Sequence, residues 1–393
     1  MAKSWDMSDT ATASPIPLLR LAFPEEDIAW IAEEIKAVLR SGFLTLGERV
    51  RLFEEQFAAF CGVKWAVATN GGTGALEMAL RAVDVAGGVV VMPSNTYMAT
   101  ALAAIHAGAK VRFTECCWAD LQMDPDDLAR CIDADTKAVV LVHIGGMITE
   151  RWERIRDLCL ATGVPLIEDA AHAHGAVYKN RRAGTFGVAA AFSFYPTKVL
   201  TTGEGGMLTT NDREIYERAV RLREHGKLQP EVNIHTELGS NWCLSEVQAV
   251  LGLQQMTRAN GLLAERRRLA ALYDHLLSDS PNVSVVRPGC QVQSSYYKYI
   301  AYLPGDVSRE LVKRRMLEDG IALTGEVYAH PCHSQPLFVR YPQYLASRSN
   351  SCFSVTDEVS KRHICLPLYP GLGDDEVERV VVTLNKHLHE FVG

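Results

Sequence analysis

The feature of this chain that most constrains its fold is a regular alternation of short β-branched runs with helical patterns. The strand-like runs lie at residues 65–68, 89–92, 110–113, 138–143 and 165–167. Helical patterns fill the intervals, for example from Thr73 to Val83. Strands that alternate with helices form a mostly parallel sheet with helices on both faces. The pattern therefore predicts an α/β fold with a central, mostly parallel sheet.

The pattern changes in the last third of the chain. Residues 262–279 have the apolar spacing of an amphipathic helix, and residues 283–287 and 295–303 alternate like antiparallel strands. Residues 308–320 and 374–388 resemble capped helices. We therefore predict a flexible N-terminal tail over 1–17, a large α/β domain with an N-terminal helix over 18–260, and a small α+β domain over 261–393.

Charge and cysteine content exclude several classes of protein. A net charge of −7 and a pI of about 6.0 argue against a nucleic-acid partner or an anionic membrane, because both require a clustered basic surface. We interpret the one basic run, residues 266–268, as a solvated helix face. The ten cysteines contain no Cys-x-x-Cys and no regular spacing, so we expect no metal site and no disulfide framework.

The hydropathy pattern favours a cytoplasmic protein. No apolar run reaches the length that a membrane-spanning helix needs, and residues 1–17 lack the apolar core of a signal peptide. We therefore expect neither a membrane partner nor a disulfide-forming compartment.

The strongest candidate for chemistry is a lysine in a turn. An apolar run over 189–194 leads to Lys198, and residues 201–207 behind it are rich in glycine. Burial lowers the pKa of a lysine amine, which is why buried lysines form imines with carbonyl compounds. Lys198 is therefore the candidate imine-forming residue. The alternative is a surface lysine after an edge strand.

A second candidate is the small-residue turn over 69–74, which lies between a strand-like run and a helical pattern. Free backbone N–H groups at a helix N-terminus bind phosphate, and the helix dipole adds a partial positive charge of about half a unit. The turn lacks the Gly-Lys-Ser/Thr ending of a Walker loop. A plain helix-entry turn is the alternative.

The third candidate is Asp169, at the end of the strand-like run 165–167. An aspartate at a buried strand end is costly unless it meets a cation or several donors, and a protonated pyridine nitrogen would be such a cation. A cap for the next helix is the alternative. His172 and His174, two residues apart, cannot share a helical face, so a metal pair is not expected.

Together these features predict a site for pyridoxal 5′-phosphate (PLP). Lys198, 29 residues after Asp169, would hold the aldehyde, and Asp169 would keep the ring nitrogen protonated. The turn over 69–74 would bind the phosphate. Tyr97, which follows the segment 93–96, would stack on the ring face.

Four motifs carry a specific resemblance. They are residues 70–76, residues 168–175, Ser193-x-x-x-x-Lys198 with Gly203-Glu204-Gly205-Gly206, and residues 239–242. In this order they resemble the DegT/DnrJ/EryC1/StrS family of fold-type I, PLP-dependent aminotransferases, which act on nucleotide-linked ketosugars or cyclitol ketones. Residues 41–47 and 366–370 resemble the family's N-terminal loop and C-terminal turn, so nearly the whole chain is covered.

The resemblance implies a role for each site residue. Lys198 would bind the cofactor covalently, Asp169 would pair with the ring nitrogen, Tyr97 would stack on the ring, and His172 would lie near the phenolic oxygen. The implied phosphate ligands are Gly72, the amides of Thr73 and Gly74, the Ser193 hydroxyl, and Asn241 from the neighbouring subunit. Asn241 thus implies a homodimer with shared sites. Tyr328 and His333 fall where the family's small domain approaches the acceptor.

Two positions depart from the family pattern, and several functions stay open. Cys243 stands where many members have arginine, and Gly71 where many have serine. The run 241–246 resembles the branch of the family that uses glutamine as donor and inosose-type ketones as acceptors. An inosose-type ketone is therefore the alternative acceptor. A sugar dehydratase of this family typically has histidine in place of Lys198. A PLP-binding regulator without turnover and an α/β protein without PLP are the remaining alternatives.

Overall fold

The computed structural model describes residues 14–229, 232–323, 325–347 and 352–392. The α-helices are α1 (Glu25–Ser41), α2 (Glu48–Cys61), α3 (Gly72–Ala82), α4 (Met98–His106), α5 (Pro125–Cys131), α6 (Trp152–Thr162), α7 (Arg213–Arg223), α8 (Glu246–Leu276), α9 (Arg309–Glu318), α10 (Pro336–Arg340), α11 (Ser354–Arg362) and α12 (Asp374–Val392). Short 3₁₀ helices lie at Ile144–Gly146, Cys332–Ser334 and Pro342–Tyr344.

The strands follow the same chain order. They are β1 (Trp65–Thr69), β2 (Val89–Pro93), β3 (Lys110–Thr114), β4 (Thr136–Val142), β5 (Leu166–Asp169), β6 (Val177–Tyr178), β7 (Arg181–Arg182), β8 (Ala189–Ser193), β9 (Gly206–Thr210), β10 (Lys227–Gln229), β11 (Val232–His235), β12 (Ser284–Val285), β13 (Val292–Gln293), β14 (Tyr299–Tyr302) and β15 (His363–Leu366).

A seven-stranded sheet forms the centre, with the strand order β1-β9-β8-β5-β4-β2-β3. The pairs from β8 to β3 are parallel, and β9 is antiparallel to both of its neighbours. The predicted α/β fold with a mostly parallel sheet is confirmed. Because six strands point the same way, their carboxyl ends meet at one edge, where the ligands of such sheets bind.

The core lies on both faces of this sheet. In β4, Val140 contacts one hydrophobic cluster while Val139 and Leu141 contact the other, as the period of two along a strand requires. All three side chains are fully buried. Strands buried on both faces have continuous apolar sequences, and this pattern made it possible to predict them.

A smaller antiparallel sheet, β12-β14-β15, lies in the C-terminal part. It shares a separate hydrophobic cluster with the second half of α8 and with α9 and α12, represented by Tyr273, Met316 and Leu384. The antiparallel strands predicted near 283–287 and 295–303 correspond to β12 and β14. The helix predicted over 262–279 differs, because it is the second half of α8, which starts at Glu246 and ends at Leu276. Residue 260 therefore lies inside one continuous helix, and the division into two domains stays a prediction.

The N-terminal tail and the arginine run also differ from expectation. Residues 1–13 lie outside the described residues, but Ile16 is buried and its N–H donates to the Gly320 carbonyl at 2.8 Å. The segment is therefore packed before residue 17. Arg266, predicted to be solvated, is buried and donates to the carbonyls of Tyr296 and Leu368. Burial lowers the pKa of Arg266 to about 10. Arg268, the last residue of the run, forms surface ion pairs with Glu265 and Asp374.

Candidate active site

A cavity of about 400 Å³ lies at the carboxyl edge of the seven-stranded sheet. Its wall is built by the residues that follow β1, β2, β5 and β8, together with two tyrosines from the C-terminal part, Tyr297 and Tyr328. The predicted residues that line it are Gly72, Thr73, Tyr97, Asp169, His172, Ser193, Lys198 and Tyr328. The structure thus brings the predicted lysine, aspartate and phosphate turn to one site.

Lys198 lies in the turn after β8, where its backbone N–H donates to the Tyr195 carbonyl at 2.9 Å. Its Nζ lies 4.7 Å from the centroid of the Tyr297 ring. Burial lowers the pKa of the Lys198 amine, while Tyr297 and Asp169 oppose that shift. The amine is therefore easier to deprotonate than an exposed lysine, as nucleophilic attack on a carbonyl requires.

Asp169 ends β5, and its carboxylate has two hydrogen-bond donors. The Thr100 hydroxyl donates to Oδ2 at 2.7 Å, and the Ala171 N–H donates to Oδ1 at 3.2 Å. The side chain lines the cavity. A carboxylate accepts up to about four hydrogen bonds, so Asp169 keeps capacity for a ligand cation.

The turn before α3 has the geometry of an anion site. In the part of the chain that the structure describes, no side chain caps the N-terminus of α3, so its first N–H groups stay available. A Cβ on Gly72 would lie 2.7 Å from Ser193 Cβ, which means that only glycine lets the turn approach the Ser193 strand end. On Gly74 a Cβ would lie 2.9 Å from the Trp242 ring. The two glycines therefore explain the close packing of this turn.

The rings of His172, Tyr297 and Tyr328 form another part of the cavity wall. His172 stacks on Tyr297, with ring centroids 4.1 Å apart, and its Nε2 is 3.1 Å from the Tyr328 hydroxyl. Burial holds the pKa of His172 well below its ordinary value and raises the pKa of Tyr328. Since His172 stays neutral, one of its ring nitrogens can accept a hydrogen bond. Its buried Nδ1 has no partner among the described residues.

Four predicted residues are placed differently from the others, and one of them, Gly74, lies against the Trp242 ring and outside the cavity wall. Tyr97 is at the mouth of the cavity, 63% exposed, with its ring centroid 5.7 Å from that of Tyr328. Asn241 is exposed and lies outside the cavity wall, where its carbonyl accepts from the Asn70 side chain. His333 also lies outside, bonded to Ser94 at 2.7 Å and 3.2 Å from Asp357. Their assigned contacts stay predictions.

Three residues of this site, Tyr297, Thr100 and Glu204, were given no role from the sequence. Tyr297 belonged to a segment interpreted as a strand, although β14 begins two residues later. Thr100 lies one helical turn after Thr96, which follows a strand end, and that spacing was a usable signal. Glu204 belongs to the glycine-rich stretch of the motif and lines the cavity.

The residues present fit PLP. The uncapped start of α3 suits a phosphate, and the spare capacity of Asp169 suits a protonated ring nitrogen. The orphaned Nδ1 of His172 and the lowered pKa of Lys198 suit a polar ring with an aldehyde. Among the described residues, no group of three or more His, Cys, Asp or Glu could hold a metal ion. The described helices include none long and apolar enough to cross a membrane.

Fold and site together define the class: this chain is a PLP-dependent aminotransferase. It belongs to the DegT/DnrJ/EryC1/StrS aminotransferase family, whose sequence profile matches residues 26–385. The resemblance found in the motifs is thereby confirmed.

Named relatives extend over most of the chain. It is 34% identical to dTDP-3-amino-3,4,6-trideoxy-alpha-D-glucose transaminase of Micromonospora megalomicea subsp. nigra, over 91% of this chain and 94% of that protein. It is 30% identical to GDP-perosamine synthase of Vibrio cholerae, over 85% and 89%. Among solved structures it resembles S. venezuelae DesV, with a TM-score of 0.88 and 30% identity over 96% of this chain and 99% of that one. Several relatives are named as enzymes of nucleotide-linked amino sugars, which supports a sugar aminotransferase here.

Proposed function

We propose that this enzyme moves an amino group from glutamate or glutamine to the keto group of a nucleotide-linked sugar, within amino-sugar biosynthesis for an antibiotic or a surface glycan. The observation that carries the proposal is the pair formed by Lys198 and Asp169 in one cavity beside the uncapped N-terminus of α3. The cavity lies at a single edge of the sheet, so donor and acceptor would use it in turn. Ping-pong kinetics follow from this arrangement.

The side chains divide the work. When bound, PLP supplies an aldehyde that accepts the amino group and a ring that takes up negative charge. With the cofactor bound, the Lys198 amine would serve as base and then as acid for the proton on the donor Cα. Asp169 keeps the ring nitrogen protonated. Neutral His172 is oriented by the stacked Tyr297 ring and by the Tyr328 hydroxyl.

The acceptor class rests on the relatives. One is named for a dTDP-linked amino sugar and one for a GDP-linked product. We therefore favour a nucleotide-linked ketosugar over an inosose-type ketone. The lysine at position 198 argues against the dehydratase alternative, and a regulator without turnover would bind PLP but fail to release a keto acid from an amino donor.

We also propose a homodimer with shared sites. The cavity wall of one chain contains the acids Asp169 and Glu204, while its described basic groups are Lys198 and the neutral His172. A phosphate beside these acids would gain from a further ligand. Asn241 is exposed, outside the cavity of its own chain, and therefore available to a neighbouring subunit. Leu238, 84% exposed, and Phe43, 74% exposed, are apolar side chains that a second copy would cover.

Borohydride reduction tests the cofactor assignment. Reduction of the PLP-loaded protein should fix the cofactor to Lys198, and peptide mass mapping should locate the adduct. Lys298 is the matched control, because its Nζ lies 5.2 Å from the same Tyr297 ring. We expect Lys298→Ala to retain the adduct and Lys198→Ala to lose it. An adduct on Lys298 would overturn the assignment.

The function itself is tested with separated half-reactions. Glutamate or glutamine should convert the PLP form to the amino form of the cofactor with release of the keto acid. The amino form should then be offered dTDP-linked and GDP-linked ketosugars and an inosose. Turnover of the inosose alone would favour the alternative acceptor. A protein that binds PLP but releases no keto acid from any amino donor would be a regulator.

Subunit complementation tests the shared site. Asn241→Ala should weaken PLP retention, because a hydrogen bond to a charged phosphate contributes about 1.5–3 kcal/mol. Mixing Lys198→Ala protomers with an inactive Asn241 variant should restore part of the activity, since each heterodimer would hold one intact site. Tagged-protomer pulldown must show subunit exchange. Confirmed heterodimers without recovered activity would show that Asn241 serves its own chain.

A further inference from the structure

Two buried threonine hydroxyls form a chain that ends on Asp169. Thr96 Oγ1 lies 2.8 Å from Thr100 Oγ1, and Thr100 Oγ1 lies 2.7 Å from Asp169 Oδ2. Thr96 is 2% exposed and Thr100 is fully buried. Thr96 lies just before Tyr97, the N-cap of α4, and Thr100 lies in the first turn of the helix, so the turn into α4 brings their side chains together.

The directions of these two hydrogen bonds follow from counting protons. An ionised carboxylate only accepts, so the single proton of the Thr100 hydroxyl must point to Asp169. Thr100 then has no proton left for Thr96. The Thr96 hydroxyl must therefore donate to Thr100, which polarises the Thr100 hydroxyl toward the carboxylate.

This chain fixes the orientation of the Asp169 carboxylate. Oδ2 is held by Thr100 and Oδ1 by the Ala171 N–H, so the carboxylate plane has little freedom to turn. The Thr100 hydroxyl is not needed to form the first turn of α4. The backbone N–H of Thr100 already donates to the Tyr97 carbonyl at 3.0 Å.

We propose that Thr100, supported by Thr96, is a positioning residue that holds the Asp169 carboxylate aimed into the cavity. The proposal deepens the proposed function, because it rests on Asp169 facing the ring nitrogen of PLP. Without this oriented anion the ring nitrogen would lose its proton more readily. The ring would then take up negative charge less readily. Thr100 would thus act on the reaction through Asp169 and without touching substrate.

The experiment compares Thr100→Val with Thr100→Ser, using PLP as the probe. Valine keeps the branched shape and removes the hydroxyl, whereas serine keeps the hydroxyl and removes the methyl group. We expect Thr100→Val to slow the half-reaction with glutamate or glutamine about tenfold or more, as expected for the loss of a hydrogen bond to a charged group. Thr100→Ser should recover most of the rate. Thr96→Val should have a smaller effect, because Thr100 can still donate.

A spectroscopic titration separates positioning from a structural role. The absorbance of the PLP-loaded protein depends on the protonation of the lysine-linked cofactor. Its midpoint should shift to higher pH in Thr100→Val, since a less protonated ring withdraws fewer electrons. Asp169, Lys298, His172 and Tyr297, which surround Lys198, are unchanged in every variant.

The outcomes are distinct. A Thr100→Val protein with the wild-type midpoint and half-reaction rate would overturn the proposal, and so would equal defects in the valine and serine variants. The titration needs only PLP and no substrate. A wild-type protein that binds PLP without releasing a keto acid would therefore overturn the proposed function alone, while the midpoint shift still decides the role of Thr100.

Discussion

The segment from Glu168 to His174 borders two regions with opposite properties. One is the cavity, which receives Asp169 and His172. The other, here called the aromatic region, lies on the other face of the sheet and contains His174 with the rings of Phe57, Phe192 and Phe194. Glu168 and Asp169 face opposite sides because side chains alternate along β5, whereas His172 and His174 lie in the turns after the strand. The residues of this segment are therefore close in sequence and differ mainly in their environment.

The two neighbouring carboxylates show what distinguishes a functional acid from a structural one. Glu168 is fully buried and accepts from the N–H groups of Gly184, Phe186 and Gly187, and it lies 2.9 Å from His143 Nε2. Its hydrogen-bonding capacity is filled by the protein. Asp169 has two donors among the described residues, so the capacity that is left over marks the residue that serves a ligand.

The histidines differ in the same way. His172 meets a hydroxyl and a tyrosine face at the cavity, whereas His174 lies among phenylalanine rings. Burial among these rings lowers the pKa of His174 to about 3. One histidine is thus placed to meet a ligand, and the other fills space.

The largest effect should separate the two carboxylates. Asp169→Asn should retain the fold but slow the half-reaction by about 10²–10³-fold, because an amide cannot keep the ring nitrogen protonated. Stopped-flow absorbance with glutamate or glutamine measures this. Asp306→Asn, at an exposed position, is the control. A half-reaction near the wild-type rate would show that another acid serves the ring nitrogen.

Glu168→Gln should lower the stability of the fold and leave the half-reaction rate nearly unchanged. An amide nitrogen would face backbone N–H donors in a fully buried place, and we expect a loss of roughly 3 kcal/mol in the free energy of unfolding. Urea denaturation measures the loss, with exposed Glu26→Gln as the control. The half-reaction rate per folded molecule should stay near wild type. An unchanged unfolding midpoint would contradict the structural role of Glu168.

His174 should make the protein sensitive to acid. Its pKa is lowered from 6.5 to about 3, so below pH 6.5 the unfolded chain takes up a proton that the folded chain does not. Stability is lost as the pH falls through this window, by about 2 kcal/mol at pH 5 relative to pH 7.5. His174→Leu should reduce the difference between urea midpoints at these two pH values. Exposed His389→Gln should not, and an equal pH dependence in wild type and His174→Leu would exclude His174 as the source.

The smallest effect should be at the ring group of the cavity. Tyr328→Phe removes the hydroxyl next to His172 Nε2 and should weaken PLP affinity about fivefold, since a neutral hydrogen bond contributes about 1 kcal/mol. Fluorescence titration with PLP measures this change. Tyr341→Phe, whose ring lies at the surface, is the control. Unaltered affinity would mean that His172 does not need Tyr328 for its orientation.

Local patterns predicted most of the fold and the centre of the site. Strands buried on both faces leave continuous apolar runs, and the residues directly after them include Lys198, Asp169 and Thr73. These signals are local, because one segment contains both the strand and the reactive residue. The helix over 262–279 was found only in part, since an amphipathic pattern does not mark where α8 enters the other core at Glu246.

The sequence by itself determined the α/β class, the lysine, the aspartate and the phosphate turn, because strand periodicity and turn chemistry act over a few residues. Only the tertiary structure decided the partners of these groups. Tyr297 and Tyr328 reach the cavity from the C-terminal part, and Arg266 of a basic run is buried rather than solvated. Such contacts join residues far apart in the chain, and no local pattern contains the distance between them.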